Sequence, residues 1–217
     1  MRLNALGRLT MNNPARAQLL LRYVAAKLAA LDPMPAGRTL VVGCGQGMDI
    51  DIALGRFGAT EVVAIDVDPR QVDRARRRVR GRRGVTIEIG DVVELGSEDQ
   101  SFDTVFDLGA IHLVPDWRRA YGEVARVLKP GGKFRFETIV GRHFRALLPV
   151  STAGFRSPND TGYGESAVLE RLSEVGLEAD ATSVLRPRAM FLTGLVGDLI
   201  GVATKRRRPR EAAPPPG

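Results

Sequence analysis

The spacing of apolar positions changes along the chain, and the changes mark out helices and strands. Behind Asn13-Pro14, which reads as an N-cap with a first-turn proline, Leu20, Val24, Leu28 and Leu31 recur at helical spacing. That pattern predicts an amphipathic helix ending near Leu31, where Asp32-Pro33 and Pro35 to Gly37 break it. Thr39 to Val42 is a short apolar run that suits a strand buried on both faces. Gly43-Cys44-Gly45-Gln46-Gly47 follows, then a helical stretch to about Phe57. The alternation repeats with a strand over Glu61 to Asp66, a helix capped by Asp68-Pro69 and reaching Arg80, and a strand over Val85 to Gly90. Phe102 to Asp107 is a fourth strand, and Asp116 opens a helix to Leu128. Lys129-Pro130-Gly131-Gly132 stops that helix and turns into a fifth strand, Lys133 to Thr138.

Past residue 140 the rhythm loosens. Ser157 to Gly164 is rich in turn residues, Ser166 to Val175 is helical, and Leu177 to Leu185 and Leu199 to Lys205 are the closing strands. Met190 to Thr204 is the most apolar stretch, but fifteen residues that include Asp198 fall short of the roughly 20 that cross a bilayer. It reads as buried strand material, with no transmembrane segment. Strands alternating with helices of this length imply right-handed crossovers and an α/β, doubly wound, mostly parallel sheet.

A length of 217 residues suits one domain with decorations. The expected division is an N-terminal helical lid over 1–37, a ligand-binding domain over 38–205 with a substrate-side insertion at 141–165, and a disordered basic, proline-rich tail over 206–217. The single cysteine, Cys44, excludes an intramolecular disulfide, and with only two histidines a structural zinc site is not expected. No secretory leader is visible, so the expected address is the cytoplasm.

The net charge of +7 suggests nucleic acid until it is located. Arg70 to Arg83 holds eight arginines against Asp73, and Lys205 to Glu211 holds five basic residues against one acid. The remainder is net acidic, so the basicity is two local patches.

In such a sheet, ligands bind beyond the carboxyl ends of the strands where the winding reverses. After the first strand come Gly43, Gly45 and Gly47. A dinucleotide fingerprint counted from Gly43 needs its third glycine at 48, which is methionine, and Asp49 and Asp51 would repel a pyrophosphate. A cofactor without phosphates suits the loop better. Asp66, after the second strand, can accept hydrogen bonds from both ribose hydroxyls of an adenosine, and Asp91, after the third, from the adenine amino group. Asp107 and Ile111-His112-Leu113 follow the fourth strand.

The ordered motifs Val42 to Gly47, Ile65 to Pro69, Gly90-Asp91, Ser101 to Asp103, Ile111 to Trp117 and Arg126 to Gly132 resemble class I S-adenosylmethionine-dependent methyltransferases. Within that class the chain is most similar to the small-molecule branch that includes quinone-ring methylases. The likeness covers roughly residues 38–138. It implies a Rossmann-like seven-stranded sheet with an antiparallel last strand. It also implies S-adenosyl-L-methionine as cofactor, with Gly43, Cys44, Gly45 and Gly47 around the methionyl part. Asp66 with Val67 would then meet the ribose, Asp91 with Val92 the adenine, and the backbone at Asp107 the methionyl amino group. The family usually has an acid two residues before the first glycine, where this chain has Val41.

Methyl transfer from a sulfonium is an in-line displacement. The protein's task is to hold nucleophile and methyl about 3 to 3.5 Å apart and to exclude water. A base is optional and contributes about a hundredfold or more. His112 and Glu137 are the candidate catalytic residues, each with a plain alternative: a hydrogen-bonded loop histidine, and a carboxylate paired with an arginine. The expected partner is a small-molecule methyl acceptor. Two other readings are an RNA or protein methyltransferase using the Arg70 to Arg83 patch, and a binding protein of the same fold without turnover.

Overall fold

The computed structural model describes residues 23–140, 162–185 and 198–207. The elements are α1 (Ala25–Leu31), β1 (Arg38–Val42), α2 (Met48–Phe57), β2 (Glu61–Asp66), α3 (Pro69–Arg78), β3 (Val85–Ile89), β4 (Phe102–Leu108), a 3-10 turn (Ile111–Leu113), α4 (Trp117–Val127), β5 (Leu128–Ile139), α5 (Glu165–Glu174), β6 (Leu177–Leu185) and β7 (Asp198–Lys205). Seven strands form one sheet in the order β3-β2-β1-β4-β5-β7-β6. β1 pairs in parallel with both β2 and β4, and β7 runs antiparallel between β5 and β6. The winding therefore reverses at β1 and β4, and their carboxyl ends frame a crevice.

The side-chain alternation of β1 shows why the sheet is covered twice. Leu40 and Val42 face a layer containing Trp117, Tyr121 and Val124 of α4 with Val168 and Leu172 of α5. Val41 faces the other layer, which contains Leu28 of α1, Ile50, Ala53 and Phe57 of α2, and Val72 and Ala75 of α3. Val24, Ala25 and Leu28 are buried there, so the described part of the N-terminal segment is a layer of the core. Residues 1–22, 141–161 and 208–217, which include most of the expected lid, insertion and tail, lie outside the described residues.

Two caps act as their sequences require. Asp68 accepts from the Arg70 amide at 3.0 Å with Pro69 in the first turn, and Asp116 accepts from the Arg119 amide at 3.3 Å. α3 ends at Arg78, two residues before the expected Arg80, and the chain then turns through Gly81 in the left-handed region. β5 starts at Leu128 and not at Lys133, because Leu128 pairs with Phe102 before a register shift brings Thr104 opposite Lys133. No helix among the described residues is long and apolar enough to cross a membrane.

Candidate functional site: a carboxylate-lined cleft at the strand ends

The turn leaving β1 is shaped by its glycines. Gly43, Gly45 and Gly47 have φ values of 62°, 51° and 89°, where side chains other than glycine are strained. A Cβ on Gly43 would come within 2.2 Å of the Ala110 Cβ, so that glycine lets the β1 and β4 turns touch. A Cβ on Gly45 would meet no atom of the described protein within 4 Å. Its space lies in the cleft.

Asp66 fixes this turn from the end of β2. Its Oδ2 accepts from the Gly45 amide and its Oδ1 from the Asp68 amide, both at 2.9 Å. The Cys44 amide donates to the Ile65 carbonyl at 2.9 Å, so β2 holds the loop at two adjacent residues. Burial raises the Asp66 carboxyl above its ordinary range, an effect opposed by the two amides. Burial and the Asp66 and Asp49 charges push the Cys44 thiol far up, which makes it an inert packing group.

The cleft has an empty volume of about 1030 Å3, its open mouth included. Of the residues singled out in the sequence, Gly43, Cys44, Gly45, Asp66, Val67, Asp91 and Val92 line it. The Asp91 side chain lies at an exposed rim, where Oδ1 accepts from the Val93 amide at 3.1 Å.

Four candidates are placed elsewhere. Gly47 is absent from the lining and packs on α3, where an added Cβ would stand 3.1 Å from the Ala75 Cα. Asp107 is fully buried, and its Oδ1 accepts from the Ala110 and Ile111 amides at 2.7 and 3.2 Å. Its carboxylate thus shapes the β4 turn, while Leu108, Gly109 and Ala110 line the cleft. Burial drives the Asp107 pKa up to about 7, with the Glu137 charge adding to the rise against the two amides. His112 is buried in the 3-10 turn, and it is Leu113 and Val114 of that segment that reach the cleft. Glu137 is buried on β5 in register with Leu108 and likewise does not line it.

Sequence reasoning missed Gln71 as a lining residue. It is buried in the first turn of a helix whose outer face is arginine, and that contrast with its neighbours was the available signal. Asp49 also lines the cleft, where the sequence had suggested only repulsion of phosphate.

The lining contains four carboxylates, on Asp49, Asp66, Asp68 and Asp91, and among the described residues no lysine or arginine. Such a surface attracts a cation and rejects a pyrophosphate.

The chain matches a methyltransferase domain family over residues 40–136. It is 30% identical over 163 residues to phosphatidylethanolamine N-methyltransferase of Cereibacter sphaeroides, covering 71% of this chain and 77% of that protein. The chain belongs to the class I S-adenosylmethionine-dependent methyltransferases. A second relative in this family, 27-O-demethylrifamycin SV methyltransferase of Amycolatopsis mediterranei (strain S699), is 33% identical over 171 residues, 71% of this chain and 59% of that one. The crystal structure of a SAM-dependent methyltransferase from Aquifex aeolicus shares the fold, with a TM-score of 0.69 at 18% identity over 94% of this chain and 100% of that chain. The chain spans 32 to 59% of the length of three of the curated relatives it matches.

The methyltransferase cofactor fits the residues present. It carries a sulfonium and an ammonium against one carboxylate, so its net charge is positive and it has no phosphate. The acidic lining and the open space at Gly45 meet both features.

Proposed function

We propose that this chain transfers a methyl group from S-adenosylmethionine to a small organic acceptor by in-line displacement. The observation that carries the reading is the acidic, lysine- and arginine-free lining of the described cleft. Bound there, the cofactor supplies a methyl group already activated by its sulfonium. Asp66 and Val67 hold the ribose, Gly90, Asp91 and Val92 the adenine side, and Gly43, Cys44 and Gly45 present backbone to the methionyl part. Leu113 and Val114 help exclude water on the acceptor side. His112 and Glu137, buried away from the described cleft, serve in this reading as polar support for the β4 and β5 ends and not as proton carriers. Orientation then accounts for most of the rate, as expected where the leaving group is already cationic. The names of the two relatives above, a rifamycin enzyme and a phospholipid enzyme, support a small or lipid-like acceptor over a macromolecule.

The reading is tested by thermal unfolding with S-adenosylmethionine, S-adenosylhomocysteine and NAD in turn. A ligand at 100 times its Kd stabilises the folded state by about 2.7 kcal/mol. The first two are expected to raise Tm and NAD to leave it unchanged. A rise with NAD alone would overturn the assignment.

A second reading, a nucleic-acid acceptor, is favoured by the outer face of α3 and the turn after it. Arg76 donates to the Ile87 carbonyl, and Arg78 and Arg82 pair with Asp51. Arg70, Arg74, Arg77, Arg80 and Arg83 are exposed. If they track phosphates, RNA binding falls linearly in log K against log salt, with a slope near −0.7 per contact for a single strand. Binding that is absent at physiological salt would leave the small-molecule reading alone.

A further inference from the structure

The outer face of α3 carries positive charge that methyl transfer to a small acceptor does not use. Of the eight arginines between Arg70 and Arg83, three are committed. Arg76 donates to the Ile87 carbonyl on β3, the edge strand of the sheet, and Arg78 and Arg82 pair with Asp51 of α2. Arg70, Arg74, Arg77, Arg80 and Arg83 are exposed, and no carboxylate of the described residues pairs with them. Arg70, Arg74 and Arg77 fall at i, i+4 and i+7, so they stand in one stripe opposite the buried Val72 and Ala75. The stripe is about 10 Å long, and Arg80 and Arg83 add charge in the turn before β3. Like charges at this spacing destabilise a helix unless an anion lies against them.

Two features indicate which anion fits. The stripe begins at the mouth of the cleft, because Asp68, the cap of α3, and Gln71 in its first turn belong to the lining. A nucleic-acid strand led along the arginines to the cleft would bring its phosphates against the four lining carboxylates. The face therefore does not feed a polynucleotide into the site. The second feature is Ile89, which is 59% exposed at the end of β3. By strand alternation it lies on the same side of the sheet as Ile87, which packs in the layer of α3. Base stacking would need an aromatic ring there, and the one large exposed aromatic side chain among the described residues, Tyr23, precedes α1. An exposed aliphatic group beside unpaired arginines matches the headgroup boundary of an anionic bilayer, where apolar and cationic side chains are both favoured.

We propose that the α3 face, with Arg70, Arg74, Arg77 and Ile89, docks on an anionic phospholipid bilayer. The arginines meet headgroup phosphates, Ile89 enters the headgroup layer, and the cleft mouth is set beside the lipid. The contact needs neither bound cofactor nor turnover, so it stands or falls apart from the methyl-transfer reading.

The test is flotation of the whole protein with vesicles of phosphatidylcholine alone and of phosphatidylcholine mixed equally with phosphatidylglycerol. Binding to single-stranded oligouridylate RNA is titrated in parallel at the same salt. The wild-type protein is expected to float with the mixed vesicles and not with phosphatidylcholine. Each basic residue near an anionic surface is worth about fivefold in partitioning. The triple variant Arg70→Gln, Arg74→Gln, Arg77→Gln should therefore bind roughly 100-fold more weakly. Ile89→Ser should lose at least about threefold at unchanged charge. Equal behaviour toward the two vesicle types, or unchanged binding by either variant, overturns the proposal. RNA binding that is tighter than vesicle binding and is lost in the triple variant also overturns it, and gives the face to nucleic acid. All the substituted side chains are exposed, so Tm should stay unchanged. Should the triple variant not fold, Arg74→Gln alone is expected to cost about fivefold, and no loss overturns the proposal.

Discussion

Arg135, in the middle of β5, donates from Nη2 to Oδ2 of Asp32 at 2.6 Å, joining the strand to the loop that leaves α1. Both side chains are buried, at 0% and 8% exposure. The same nitrogen donates to the Met34 carbonyl at 2.7 Å, Nη1 donates to Thr104 at 3.1 Å, and the guanidinium lies over the Phe57 ring. Asp32→Ala strands a cation in the core, so it should destabilise by about 3 to 5 kcal/mol. Replacing both partners with apolar residues, Asp32→Leu with Arg135→Met, should recover much of that loss. Urea unfolding measures both, and a cost below about 1 kcal/mol for Asp32→Ala would contradict the buried pair.

Two glycines of one turn should fail in different ways. Gly43→Ala drives a Cβ to 2.2 Å from that of Ala110 at a φ of 62°, so the β1 and β4 turns must part. Stability and ligand binding should fall together. Gly45→Ala carries strain at a φ of 51° but meets no protein atom within 4 Å. It should cost only about 1 to 2 kcal/mol of stability while its methyl group obstructs the cleft and weakens S-adenosylhomocysteine. Melting curves paired with calorimetry separate the two, and identical profiles would refute the assignment of space.

Asp66→Ala removes the acceptor proposed for the ribose along with the staple on the Gly45 amide. A loss of roughly 30- to 1000-fold in affinity for S-adenosylhomocysteine, about 2 to 4 kcal/mol, is expected. Calorimetry with unchanged affinity would remove Asp66 from the site.

Asp107 predicts a pH dependence of stability. Its folded pKa of about 7 stands above its ordinary value, so between about pH 4 and pH 7 the folded state holds a proton that the unfolded state has released. Stability from this group is therefore fully present at the acid end of that window and is lost as pH rises to 7. Asp107→Asn should flatten the decline. A denaturation series across the window with the same slope in both proteins would contradict it.

The strands and their order were largely legible because each is short, apolar and bounded by turn residues. Glu61 to Asp66 and Leu177 to Leu185 are the observed strands residue for residue. The turn glycines and Asp66 were legible for a related reason, since the carboxyl end of a strand fixes where its next residues can point. Gly47 packs closely on Ala75, and a glycine needed for such packing looks the same in sequence as one needed by a ligand. The direction of the Asp107 carboxylate was not legible, because it depends on the fold of the following turn. Arg135 gave no local sign at all. Lys133 to Glu137 alternates charged and aromatic residues like a strand with one wet face, and the partner that makes burial tolerable lies 103 residues earlier.

The place of β7 bears on how the molecule is made. The last strand among the described residues is seventh in sequence yet sits inside the sheet, flanked by β5 and β6. During synthesis, β5 would present an open hydrogen-bonding edge and Phe136 would lack the Gly201 backbone it packs against, until residues 198–205 emerged. Premature termination before that point should yield a species that sticks to chaperones or to its own kind, even though every group lining the cleft would already have been translated.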